Sequence, residues 1–360
     1  MGRKVLRVIG FLVAVAAVIA YICYASHLAK EYQSQQVVSN IVIELQDSTS
    51  SQRLTSSARI YEQLKRGVGI PKSKSVESVD AVAIANLLER NGFVEEARVY
   101  TTYSGDLHIS ISEREPMLRL RVAGYDAFIT DEGYIFSVPR GSACYTSVAT
   151  GGYRPPFAPS FEGKLSELRK ERKAKGEERL GNIYAEYKGV KDEQRNLRDE
   201  RSKLYKKRKK GIFESKDNHA LRKQAINGNL AKIAKDLLQL DKKAKAVETR
   251  QQKVVAQLAR EERRFINFEE LLSFTKDIRK DDFWSAEIVQ MVVDTTSLGE
   301  ISLRLIPRSG DFVVEFGTLD NASIKLDKLR TFYDKGLSHL GWERYRNIDV
   351  RYNKQVICTE

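Results

Sequence analysis

Three cysteines, four histidines, seven prolines and two tryptophans are few for a chain of 360 residues. Three cysteines cannot make a disulfide framework, and the four histidines do not stand near them at zinc-finger spacing. The fold therefore rests on apolar cores, without staples or a structural metal. Prolines and glycines (22) are too few for a collagen-like or low-complexity rod. Also missing are G-x-S-x-G, H-E-x-x-H, a P-loop and a dinucleotide fingerprint, so no enzyme class, metal or cofactor is indicated. Cys144, in Gly141-Ser142-Ala143-Cys144-Tyr145, faintly resembles a thiol-protease turn, with His108 or His339 as a base. Neither histidine lies in a polar cluster that would orient it, so Cys144 reads as a small buried side chain. Whether Cys144 and Cys358 pair stays open, because the sequence gives no Cα separation.

What the chain does have is charge: 61 Lys and Arg against 48 Asp and Glu, a net +13. With 42% apolar residues it is neither a disordered chain nor a polytopic membrane protein. The basicity is local. Residues 161–264 hold 31 basic and 17 acidic side chains, a balance of +14, while the rest holds 30 and 31 and is −1. A basic isoelectric point is thus a property of one segment.

The N-terminus reads Met1-Gly2-Arg3-Lys4-Val5-Leu6-Arg7, then 19 uncharged residues from Val8 to Ser26. As a helix that run spans roughly 28 Å, close to the hydrocarbon core of a bilayer. The basic start predicts a cytosolic tail (1–7), a transmembrane helix (8–26) and everything after a juxtamembrane linker (27–36) outside the inner membrane. A cleaved signal peptide is the alternative, but its apolar region is usually shorter, and only Cys23-Tyr24-Ala25 weakly resembles a cleavage site. This topology excludes nucleic acid as a partner.

The exported part reads as α+β. A β-rich run at Val37–Leu45 precedes a helix near Thr55–Lys65. A second helix over Asp80–Arg90 is capped by Asp80, and strands follow at Val94–Thr102 and Leu107–Glu113 around Tyr103-Ser104-Gly105-Asp106. This βααββ order makes a compact module over 37–116. Strands over 117–160 follow, including a pair about Glu132-Gly133, and end at the breaker Gly151-Gly152-Tyr153-Arg154-Pro155-Pro156. Residues 161–264 carry two heptad segments, Leu180 to Leu204 and Leu230 to Leu258, broken at Gly211–Asn218. They predict an antiparallel coiled-coil hairpin with an imperfect seam at Gln194, Arg201 and Gln251. Over 265–360, Asn267-Phe268-Glu269-Glu270 predicts a fresh capped helix through Ile278. Strands at Ile288–Asp294, Glu300–Ile306 and Asp311–Phe316 follow, then an amphipathic helix over Ala322–Leu340 and final strands at Asn347–Asn353 and Gln355–Cys358. The whole predicts an antiparallel β-domain interrupted by the coiled coil.

Three strings in this order carry a resemblance. Ile109-Ser110-Ile111-Ser112-Glu113-Arg114-Glu115-Pro116 resembles the Arg-x-Pro strand that joins a POTRA domain to a β-domain in the FtsQ/DivIB family of bacterial cell-division proteins. Phe128 to Phe136 resembles that family's hydrophobic-Asp-x-x-Gly strand pair, and Ile348-Asp349-Val350-Arg351-Tyr352 its late Ile-Asp-Leu-Arg-Tyr strand. The resemblance covers 1–155 and 265–360; the basic insertion departs from the family. It implies a POTRA-like module and a non-enzymatic scaffold of the division machinery at the septum. FtsB- and FtsL-like partners would add a strand at the C-terminal sheet edge, here Ile348, Asp349, Val350, Arg351 and Tyr352. Without the resemblance, that string is an ordinary half-buried strand. The alternative is an exported anion-binding protein whose coiled-coil tip (Lys203, Lys206, Lys207, Arg208, Lys209, Lys210, Ile212 and Phe213) grips wall polymer or lipid headgroups. Those cations also suit a solvated helix end and its dipole.

Overall fold

The computed structural model describes residues 2–46, 53–139, 144–209 and 215–360, and for 2–12, 30–35 and 340 the backbone only. The N-terminal run is one helix, α1 (Gly2–Gln35). Among the described residues no helix is long and apolar enough to cross a membrane. The described side chains of α1 cover 13–29, 17 positions, so the expected span Val8 to Ser26 lies partly outside them.

The first domain has β1 (Ile41–Leu45), α2 (Ser57–Gly67), α3 (Ala81–Glu89), β2 (Val94–Thr101) and β3 (Leu107–Glu113). Its sheet has the order β1-β3-β2, with β1 parallel to β3 and β2 antiparallel to it. The helices start at Ser56 and Asp80, whose side chains accept the amides of Arg59 and Ala83. Leu107, Ile109 and Ile111 turn inward against Ile60, Leu64, Ile84 and Leu88, while His108, Ser110 and Ser112 face outward. A strand buried on one face produces this alternation.

The second domain is a ten-stranded sheet: β4 (Pro116–Leu120), β5 (Ala127–Thr130), β6 (Tyr134–Ser137), β7 (Ser147–Thr150), β8 (Gly163–Lys164), β9 (Ile288–Thr295), β10 (Ile301–Pro307), β11 (Val313–Gly317), β12 (Asn347–Asp349) and β13 (Ile357–Thr359). The order is β13-β12-β11-β10-β9-β7-β4-β5-β6-β8. It is mixed rather than antiparallel: β4–β7, β7–β9 and β11–β12 are parallel. Parallel neighbours need a crossover. The β5–β6 hairpin supplies the first, the helical arm the second, and a helix over Ala322–Phe332 the third.

The arm is an antiparallel helical hairpin of α4 (Leu165–Lys207) and α5 (Lys216–Lys280), 43 and 65 residues long. At 1.5 Å per residue these reach about 65 and 98 Å. Its seam buries Val190 and Gln194 against Leu240, Ala244 and neighbouring positions of α5. Gln194 donates to the Asp241 carboxylate at 2.8 Å, while Arg201 turns to solvent. At Gly176 the helices meet so closely that a Cβ would stand 2.5 Å from Leu258 Cδ2.

The capped helix expected at Asn267 does not begin there. α5 continues unbroken from the arm into the sheet domain, so Asn267 arrives already helical and has no free amides to cap. Its side chain, 5% exposed, instead donates to the Gly299 carbonyl at 2.7 Å. From Phe265 onward α5 lies in the main core: Phe268, Leu271, Phe274 and Ile278 pack under the sheet beside α6 (Asp282–Glu287) and α7 (Ala322–Phe332). Phe268 stacks on Tyr153 at 6.3 Å and meets Phe157 edge-on at 5.3 Å.

Candidate partner-binding edge, elbow and arm

The string Ile348–Tyr352 is not the sheet edge. β12 has β11 on one side and β13 on the other, with Ile348 opposite Val314 and Cys358. Alternation identified a half-buried strand, and the last strand expected over Gln355–Cys358, here β13, folds back after a seven-residue loop to cover it. Ile348 and Val350 are fully buried, and the Val350 amide donates to the Glu315 carbonyl at 3.1 Å. Asp349 ends the strand by accepting the Arg351 amide at 2.9 Å and the Arg351 guanidinium at 2.6 Å. Burial raises the Asp349 pKa, but these hydrogen bonds outweigh it and hold the carboxyl below its usual value. Lys328, on α7, closes the far side: its ammonium donates to the carbonyls of Val350 (2.7 Å) and Tyr352 (2.5 Å). Burial lowers the Lys328 pKa. Tyr352 is exposed on the loop leading to β13.

The open edge belongs to β13. The Arg346 amide donates to the Thr359 carbonyl at 2.9 Å, so Thr359, and two residues back Ile357, turn their main chain toward β12. The N–H and C=O of Cys358 then point to the other side, where no strand pairs among the described residues. Ile357 is exposed on this strand, and the Cys358 side chain packs against the margin of the main core. Cys144 lies in a different cluster, with Leu54, Phe128 and Phe136, and both cysteines are free thiols.

That second cluster joins the two domains. Glu113, 8% exposed, accepts the amides of Leu54 (3.1 Å) and Thr55 (2.6 Å). Arg114 donates to the Gly92 carbonyl at 3.0 Å and lies 3.7 Å over the Tyr134 ring. Gly92 itself has no room for a side chain, since a Cβ would stand 2.4 Å from Phe136 Cβ. The end of α5 holds the same elbow through Arg279–Glu115 and Lys276–Asp131 ion pairs. Arg-x-Pro is thus the hinge segment, fixed on both sides.

At the arm's far end, the carbonyls of Lys207 and Lys209 accept from Arg222, and the Arg208 carbonyl is 3.3 Å from the His219 ring. Lys203, Lys206, Lys207, Arg208 and Lys209 gather there; Lys210, Ile212 and Phe213 lie outside the described residues. At the base, Arg169 of α4 bridges Glu262 and Glu269 of α5, and its hydrogen bonds hold the Glu262 carboxyl below its usual pKa. Sequence reasoning missed this clamp because its members lie about a hundred positions apart.

Among the described residues no group of side chains could hold a metal ion. A small α/β module is joined through Arg-x-Pro to a large mixed sheet whose C-terminal edge is open among the described residues, which makes this a two-domain α+β protein. Residues 36–112 match the family model of the POTRA-like domain, and residues 233–359 that of the FtsQ/DivIB, C-terminal related domain. No curated protein matches the chain. The two domain matches, in this order, support an FtsQ/DivIB-family protein, whose domains fit a cell-division scaffold.

Proposed function

We propose that this protein is a non-enzymatic, single-pass scaffold of the bacterial division machinery, and that FtsB- or FtsL-like partners add a strand to β13. The observation that carries the reading is the outer side of β13, which no strand pairs among the described residues, with the Cys358 main chain directed toward it. Main-chain hydrogen bonds would set the register of an added strand, and exposed Ile357 and Tyr352 offer apolar anchors beside it. The inner-membrane anchor is supported by the basic start of α1 and by Val13, Val18, Ile19, Tyr21, Ile22 and Tyr24, all exposed to whatever surrounds the helix. The family and this topology support a septal location with the bulk of the chain in the periplasm. A reporter fused after Glu360 should be active only in the exported compartment.

Strand addition is tested by Cys358→Pro. It removes the outward N–H while leaving the β12 pairing of Ile357 and Thr359, and edge strands tolerate proline. The variant should fold and insert but lose its partner by at least about tenfold in affinity, as expected for a lost edge hydrogen bond and its register. Unchanged affinity would place the binding face elsewhere. Proline at Val350 is the internal contrast: it removes the bond to Glu315 and should damage the sheet itself.

The second reading keeps the arm's tip as a grip for anionic wall polymer or lipid. It is favoured by the five described cations gathered there, although Arg222 already serves the helix-end carbonyls beside them.

A further inference from the structure

Where the arm enters the sheet domain, a cleft of about 600 Å³ opens between α5, the loop after β7 and the β9–β10 turn. Arg154, Arg260, Arg263 and Arg264 line it, and no carboxylate does. The other clefts nearby differ. The one at the elbow has four carboxylates against four cations and is closed by its own ion pairs. The adjoining one, which shares Arg263 and Asn267 with the arginine cleft, has four carboxylates and that single arginine. The arginine cleft, unlike these two, holds an excess of positive charge without a counter-charge among its lining residues.

Its arginines are unequally occupied. Arg264 donates to the carbonyls of Arg154 and Pro155, and so shapes the wall. Arg263 stands 3.8 Å from Glu300, beyond hydrogen-bond reach. Arg154 and Arg260, both exposed, have no side-chain partner among the described residues. The floor is fixed: Tyr153 and Asn267 are buried and bonded to the Arg264 and Gly299 carbonyls. On the rim Leu298 is 78% exposed at the tip of the β9–β10 turn.

We propose that this cleft binds an acidic, extended peptide segment of a partner protein. Planar guanidinium forks suit carboxylates, and two unengaged arginines beside an exposed leucine match acidic side chains interleaved with an apolar one. A lone phosphate is less well served. α5 passes the cleft in mid-helix and presents no free amides, and the Gly152 amide is already bonded to Asp294 at 2.9 Å. The site is separate from the β13 edge and does not depend on strand addition there.

The test uses the full chain in detergent and a fluorescein-labelled octapeptide alternating Glu with Leu or Ser, against the same peptide with Gln for Glu. The Glu peptide should bind at least about tenfold more tightly and weaken as salt rises. Arg154→Gln with Arg260→Gln should cost about tenfold or more, and Leu298→Asp should also weaken binding. Lys206→Gln with Lys207→Gln, at the tip, and Cys358→Pro should leave affinity unchanged. All these side chains but Cys358 are exposed, so the folded state is expected to persist. Equal binding of the two peptides, unchanged affinity in the arginine variant, or an equal loss in the tip variant would overturn the proposal. So would displacement of the peptide by millimolar inorganic phosphate, which would make the cleft a small-anion site.

Discussion

Phe268 and Leu237 lie on the same helix, 31 positions apart, yet they should answer to different cooperative units. Phe268→Ala removes a fully buried ring that stacks on Tyr153 and meets Phe157 edge-on beneath the sheet. Such truncations cost about 3–5 kcal/mol, including the aromatic contacts. At about 2–4 °C per kcal/mol for a domain of this size, the sheet domain should melt roughly 6–20 °C lower. Leu237→Ala acts in the arm's seam, where the side chain remains 8% exposed, and the perturbation should stay there. The two tryptophans separate the outcomes, because Trp284 and Trp342 both pack in the sheet domain and the arm has none. Tryptophan fluorescence then reports the sheet, while ellipticity at 222 nm is dominated by the long helices. Phe268→Ala should lower the fluorescence melt; Leu237→Ala should lower the ellipticity melt and leave fluorescence within about 1–2 °C. If Leu237→Ala shifts both equally, arm and core are one unit. If Phe268→Ala shifts neither, the continuous helix does not anchor the arm.

Glu113→Gln should cost about 1–3 kcal/mol, because a neutral amide accepts the Leu54 and Thr55 amides less well; limited proteolysis between the two domains would reveal the loosened elbow. Gly92→Ala should loosen the same joint by forcing a Cβ against Phe136, read by the same digestion. Asp349 has a folded pKa below its unfolded value, so its contribution is present above about pH 3.9 and is lost as pH falls through the lower folded value. Acid unfolding of Asp349→Asn should therefore depend less on pH in that window than that of the wild type.

Local pattern carried the first domain. The alternation of Leu107, Ile109 and Ile111 and the cap at Asp80 are short-range signals, and each element but β1, which starts four residues late, stands within two residues of its expected place. The 3–4 spacing carried the arm as well. Parallel pairing in the sheet was not legible, because β7 and β9 are joined only through a helical hairpin and nothing local marks them as neighbours. Asn267 misled because a capping box reads the same whether the chain enters a helix there or is already in one. The site was half legible. Ile348 to Tyr352 was found as the late strand and its turn, but β13, expected only as the last strand over Gln355–Cys358, took the edge position. The arginine cleft was invisible for a different reason: Arg154 and Arg260 are 106 positions apart and meet only because the arm returns to where it left.

Amide hydrogen exchange at Cys358 reads strand addition at β13 without any substitution. In the full chain alone its N–H, directed away from β12, should exchange quickly, while the Thr359 and Ile357 amides exchange slowly. Adding the exported segment of an FtsB- or FtsL-like partner should protect Cys358 strongly and leave the β11–β12 amides as they were. Protection that appears on other surfaces while the Cys358 amide stays fast would contradict strand addition at β13.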